Sequence, residues 1–176
     1  YRGWKLTHFE GGVHVPFFVK WPSMIDKNQV FSQRIHHTDI FSTILGAANI
    51  KQPKNKHIDG KNLIPYIVDK KEGEPHDTLY WKNSTYQAII HNDWKLMRSK
   101  YPFKQEFLYN LSNDPYELIN LASNEFEIKQ LLNNMLDKHV ESMPKVKWPQ
   151  SVYMPITTDK PITDYEDGDE LIYWPN

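Results

Sequence analysis

Hydrophobic and polar positions divide the chain into stretches of different period. Residues 13–21, VHVPFFVKW, are an apolar run of β-branched and aromatic side chains closed by Pro22. Such a run predicts a buried strand. Gly11 and Gly12 precede it, directly after Glu10. Adjacent glycines permit positive φ and close backbone approach, so a tight turn is expected to feed the strand. Further on the period becomes helical. Ile40, Phe41, Ile44, Leu45 and Ala48 fall on one face, which predicts an amphipathic, core-facing helix from about Asp39 to Ala48, with Thr38 as N-cap and Asn49 as stop. Asp59-Gly60 signals a turn before a short apolar patch, Leu63 to Ile67, of one helical turn. The charged, breaker-rich KKEGEPHD places a boundary at 69–77.

From Thr78 the period is two. DTLYWK, TYQAIIH and WKLMRS are separated by Asn83-Ser84 and Asn92-Asp93, the pattern of strands joined by tight hairpins. A looser loop leads to a fourth strand, EFLYNL. Sequential strands with short turns predict an antiparallel meander, with Trp81, Trp94 and Tyr109 in its core. Asn113-Asp114-Pro115 reads as a turn with a short helical tail. Ser123 is placed to cap a helix in which Ile128, Leu131, Leu132, Met135 and Leu136 recur at helical steps up to Ser142, before Met143-Pro144. That helix should cover the apolar face of the meander. The remainder, 143–176, is rich in proline, acidic and aromatic. It is too aromatic for a solvating tail and is expected to wrap a surface in extended form.

Composition narrows the function classes. A net charge of −1 gives no electrostatic case for nucleic acid or an anionic membrane surface. No apolar stretch approaches the ~20 residues of a membrane span. There is no cysteine, which excludes disulfides and a thiol nucleophile within this chain. The chain begins at Tyr1 and is read as a segment of something longer.

Five stretches together carry a family resemblance. They are GWKLTHFEGGVHVPFFVKWP, HTDIFSTILGAANI, IDGKNLIPYI, HNDWKLMRS and FLYNLSNDPYELINLA, in order over residues 1–122. They resemble the C-terminal part of type I, formylglycine-dependent sulfatases of the alkaline phosphatase superfamily. The resemblance implies an α/β fold: residues 1–68 as the end of a large mixed-sheet domain, and 78–142 as a small C-terminal domain with a four-stranded antiparallel sheet packed on a long helix. It also implies a chemistry, in which a formylglycine hydrate attacks the sulfur of a sulfate ester beside Ca²⁺ held by oxygen ligands. Both formylglycine and the Ca²⁺ ligands would lie upstream, since no serine here stands in the required motif and the acidic metal-binding pairs are missing. The metal ligands expected in this chain are therefore none. The implied partners are a sulfated carbohydrate and the upstream catalytic segment of the same protein, and the implied location is exported.

Lys5 matches the family lysine that contacts sulfate oxygens. A compact ammonium suits a tetrahedral oxyanion. Glu10 is expected to anchor the turn through backbone N–H groups. His8, His14 and His91 are candidate substrate contacts. His14 stands where the family often carries arginine, and His91 lies at a strand end beside a hairpin tip. Arg2, Trp4, Trp148 and Trp174 could form a sugar-stacking platform. His36 and His37 are adjacent, cannot share a helical face, and are read as structural. The resemblance thus implies part of a sulfatase. The alternatives are a non-catalytic glycan-binding or interaction module, and a phosphodiesterase or phosphonate hydrolase of the same superfamily.

Overall fold

The structure is a computed structural model and describes residues 1–100, 103–145, 147–148 and 153–175. Its elements are α1 (Glu10–Val13), α2 (Asp39–Ala47), α3 (Ile64–Ile67), β1 (Thr78–Lys82), β2 (Tyr86–His91), β3 (Trp94–Ser99), β4 (Gln105–Asn110), α4 (Phe126–Ser142), β5 (Tyr153–Thr157) and β6 (Leu171–Pro175). The chain forms two compact units, residues 17–79, and residues 1–16 with 80–176. The entering segment thus belongs with the sheet rather than with α2 and α3.

The sheet has the order β1-β2-β3-β4, the expected meander. Register places Ile89 opposite Leu96, and Leu96 opposite Leu108. These three share a face and pack against Leu132 and Leu136 of α4. Each fully buried leucine contributes roughly 1.5–3 kcal/mol. Arg98 ties this face to the helix, donating to Asn133 Oδ1 and Asp137 Oδ1, both at 2.6 Å. Asn92 takes φ +50° at the β2–β3 turn, which asparagine tolerates. Helix α4 ends at Ser142, as expected. It starts only at Phe126, and its N-cap Glu125 makes no side-chain cap bond. Ser123 does not cap it. No helix follows Pro115 either. Instead the Asp114 carboxylate accepts from Leu118 N–H at 3.0 Å and Ile119 N–H at 2.9 Å.

Alternation puts Ala88, Ile90, Lys95, Met97, Phe107 and Tyr109 on the opposite face. All are buried. Phe9 covers part of this face, with ring centroids 5.4 Å from Phe107 and 6.3 Å from Tyr109. The C-terminal stretch is not an extended wrap. Strands β5 and β6 form an antiparallel hairpin in which buried Ile156 pairs with buried Ile172. Gln105 Nε2 donates to Leu171 O at 3.0 Å, joining the hairpin to β4.

The strand expected over Val13–Trp21 is absent. Residues 10–13 are α1, and 14–21 pair with none of the described strands. Val15, Phe17, Phe18 and Val19 are exposed, Phe18 to 90%. Strand propensity measures fit to a pleated, half-buried surface rather than a backbone preference, and no such surface is offered here. Pro16 also lacks a donor.

Within the unit 17–79, α2 covers nearly its expected span and Asn49 stops it with φ +54°. Its buried residues, however, are Asp39 and Ser42, while Ile40, Phe41 and Ile44 are exposed. The helix turns its polar side inward because Asp39 is saturated with donors. It accepts from His36 N–H and Lys61 N–H, both at 2.7 Å, and from His76 Nε2 at 2.8 Å. Burial pushes this carboxyl up, but the bonds from His76 and the two backbone amides hold it below the usual range. Thr38 makes no side-chain cap bond; its hydroxyl lies 3.0 Å from His36 Nδ1. Asp59-Gly60 is not a turn. A Cβ at Gly60 would stand 2.1 Å from Thr38 O, so glycine is needed for close approach.

Candidate functional site

Lys5 stands in a short loop that folds back on α1. Leu6, the next residue, has φ +82°, a strained conformation for a leucine. Thr7 closes the loop, its N–H donating to Trp4 O at 3.0 Å and its hydroxyl to the same oxygen at 2.8 Å. Gly11 N–H donates to Arg2 O at 2.7 Å. A Cβ at Gly11 would stand 2.1 Å from Gly3 O, and one at Gly12 would stand 2.2 Å from Thr7 O. The glycine pair therefore serves close approach. Neither residue has positive φ; in this loop Gly3 does, at +72°. Lys5 is exposed and makes no hydrogen bond or ion pair among the described residues. The loop thus presents an exposed ammonium.

Beneath the loop lies a buried ion cluster. Lys95 Nζ is 2.8 Å from Glu10 Oε1 and 2.8 Å from Glu117 Oε1. Glu117 is fully buried and sits at φ +58°. Its other oxygen accepts the Glu10 N–H at 2.6 Å. Burial raises the Glu117 carboxyl above its ordinary range, against the pull of Lys95. Glu10 is thus structural, as expected, but through different partners. Its own carboxylate takes Lys95 and His14, and the acceptor for a backbone amide is Glu117.

A second cluster holds Arg2. Its guanidinium donates from Nε to Asp159 Oδ1 at 3.0 Å, from Nη2 to Asp159 Oδ2 at 3.1 Å, and from Nη1 to Tyr109 OH at 2.7 Å. Nη2 also reaches Thr158 Oγ1, at 3.4 Å, and Glu170 Oε1. The group lies over the Phe9 ring, 4.7 Å from its centroid. Arg2 is therefore occupied and does not join a stacking platform. Trp148 is exposed to 80%, and the Trp174 side chain lies outside the described residues.

The candidate histidines separate. His8 shares the Lys5 loop and is half-buried. Burial, reinforced by the Lys95 charge, pushes its pKa down to about 4, so it is neutral near pH 7. His14 is exposed, 3.0 Å from Glu10 Oε2, and stacks on Tyr1 at 4.7 Å. His91 pairs with Trp94 and shares the helix-facing side of the sheet with Ile89. The structure therefore brings His8 to Lys5 and places His91 on the other face of the sheet. Lys95 and Glu117 were not singled out by sequence reasoning, and Arg2 was read as a stacking residue rather than as the centre of an ion cluster. The one available signal was Lys95, a charged residue on the same alternating face as Met97.

Among the described residues no group of three His, Asp or Glu is placed to hold a metal ion. Nor does the chain contain a cysteine. The described residues do not fit a metal site, and the chain offers no cysteine for conversion to formylglycine.

Comparison with known proteins gives a consistent answer. A family model described as N-sulphoglucosamine sulphohydrolase, C-terminal, matches residues 3–145. The Escherichia coli protein named as the uncharacterized sulfatase YdeN is 29% identical over 139 residues, covering 70% of this chain and 25% of that protein. An N-acetylgalactosamine-6-O-sulfatase of Bacteroides thetaiotaomicron is 28% identical over 155 residues, covering 78% of this chain and 29% of that protein. A Bacteroides thetaiotaomicron structure solved in a study of glycosaminoglycan metabolism superposes with TM-score 0.64 at 23% identity, over 79% of this chain and 32% of that one. This chain spans between a quarter and a third of the length of these relatives. The shared fold is the sulfatase one, with its small antiparallel sheet on a helix. The chain belongs to the N-sulphoglucosamine sulphohydrolase C-terminal family and is a C-terminal portion of the sulfatase family.

Proposed function

We propose that this chain is part of a sulfatase that hydrolyses sulfate esters of sulfated carbohydrates, to which it contributes a sulfate-binding lysine and one wall of the substrate cleft. The observation that carries this reading is the Lys5 loop. A strained backbone at Leu6, two close-approach glycines and a buried ion cluster all go into holding the backbone that carries one exposed ammonium. A positive charge carried on a preorganised backbone beside a developing oxyanion needs little reorganisation during reaction. The printed activities of the relatives, including N-acetylgalactosamine-6-O-sulfatase, support the substrate class.

In this reading Lys5 holds the sulfate oxygens and balances their charge. Neutral His8 beside it offers a ring nitrogen to a sugar hydroxyl, and His14 lies further along the same segment. The nucleophile and the metal are supplied by another part of the same protein. Formylglycine would supply the attacking oxygen there. We place residues 1–68 with the large domain, the first sixteen of them packed with the sheet of the small domain 78–142, and 143–176 as an addition to that domain's surface. The exposed apolar face of α2, with Ile40, Phe41 and Ile44, supports burial against that large domain. An exported location accords with the family. No helix among the described residues is long and apolar enough to cross a membrane.

The test is Lys5→Ala in the full-length protein, assayed on an aryl sulfate and on a sulfated sugar. The expected result is a fall in kcat/KM of about 100- to 1,000-fold with an unchanged melting temperature. A rate near wild type removes Lys5 from the site.

A further inference from the structure

The family match ends at residue 145 and begins at residue 3. The hairpin β5–β6 and Arg2 both lie outside it, yet each is bound to the other. We infer that this C-terminal hairpin is a positioning element for the Lys5 loop, acting through Arg2; the inference rests on the proposed role of Lys5.

Arg2 joins three parts of the molecule. Asp159, Thr158 and Glu170 belong to the hairpin and its connecting loop, Tyr109 to the sheet, and the Arg2 carbonyl receives the Gly11 N–H that closes the base of the Lys5 loop. Asp159 is gripped through both oxygens, the planar fork geometry that arginine provides and lysine does not. Burial works against the Arg2 charge, but the Asp159 hydrogen bond, Tyr109 and Glu170 hold its pKa above the ordinary arginine value. With its side chain only 12% exposed, Arg2 is fixed at both its ends, three residues before Lys5.

The hairpin in turn is seated. Ile156, Thr157, Thr158 and Ile172 are buried, and Leu171 O accepts from Gln105 of the sheet. Without the hairpin, the Arg2 guanidinium would keep, among the described residues, Tyr109 and the Phe9 and Phe107 rings as partners. The loop base would lose the anchor that sets its height over the sheet. Sub-ångström misplacement of a substrate-holding cation costs rate without unfolding anything. Arg2 is therefore a positioning residue, and Asp159 and Glu170 act through it.

The test is a double-substitution cycle in the full-length protein, using Arg2→Met and, separately, Asp159→Asn combined with Glu170→Gln, each alone and on Lys5→Ala. Asp159 is exposed to 61% and Glu170 to 35%, so neutralising them leaves the fold intact. Each change alone is expected to lower kcat by about 10- to 100-fold, with a smaller change in KM. On the Lys5→Ala background the same changes should cost almost nothing further, because the group being positioned is gone. Amide hydrogen exchange gives a readout independent of activity: Gly11 and Thr7 N–H should exchange about tenfold faster in either variant. Losses that multiply fully with Lys5→Ala, or unchanged exchange at Gly11, overturn the inference. A Lys5→Ala protein of wild-type rate instead overturns the proposed function, and the exchange result then still decides whether the hairpin holds the loop.

Discussion

On one face of the sheet, Ile89, Leu96 and Leu108 meet Leu132 and Leu136 of α4. On the other, Lys95 lies between two carboxylates, Glu10 and Glu117, and Arg2 between two more, Asp159 and Glu170. The first face is held by apolar area, which is non-directional and forgiving of small shifts. The second is held by ion pairs, buried around Lys95 and partly exposed around Arg2, whose geometry tolerates less movement. The lysine loop is built on the second. A stable fold needs only the first kind of face, whereas a charge that must be held at a fixed point benefits from the second.

Lys95→Met should show the largest difference between the faces. It leaves Glu10 and Glu117 buried without their cation, and breaking a buried pair this way costs about 3–5 kcal/mol. Adding Glu117→Gln should recover part of that stability in urea unfolding while the Lys5 loop stays loose by hydrogen exchange. If Lys95→Met unfolds at the wild-type denaturant concentration, the ion cluster is not what holds this face. On the apolar side, Leu136→Ala should cost about 3 kcal/mol but leave Gly11 exchange and substrate turnover at wild-type levels whenever the protein is folded. A turnover loss in the folded fraction would show that the faces are not independent.

The smallest effect is in pH. His8 has its pKa depressed from 6.5 to about 4 by burial and by Lys95. A depressed histidine resists protonation in the folded state, so its contribution to stability is complete above pH 6.5 and is lost as pH falls towards 4. Urea midpoints taken at pH 7 and pH 5 should therefore differ, and His8→Gln should shrink that difference. An unchanged difference would mean that His8 titrates freely.

The same contrast governs what sequence reading reached. The meander, its Asn92-Asp93 turn and α4 follow from local period and turn chemistry, so they were legible residue by residue. Lys5 was singled out only through the motif around it. The supports of Lys5 were not, because they come from far along the chain: Glu10 meets Lys95 and Glu117, and Arg2 meets Asp159 and Glu170. No periodicity records such pairings. The C-terminal hairpin was misread for a related reason, since proline and acidic residues signal irregular chain unless their partners are known. The run Val13–Trp21 and the inward side of α2 failed differently. Apolar period was taken as burial, whereas in the unit containing α2 a saturated carboxylate, Asp39, is what lies inside.

The contact between Gly11 and the Gly3 carbonyl has a consequence for variation. A hydrogen bond can lengthen by a few tenths of an ångström at small cost, but a carbon placed 2.1 Å from a backbone oxygen forces the backbone itself to shift. The reach of Lys5 is therefore bounded by hard contact from below. Substitution at Gly11 or Gly12 would act like a shim under the loop, changing the height at which Lys5 stands.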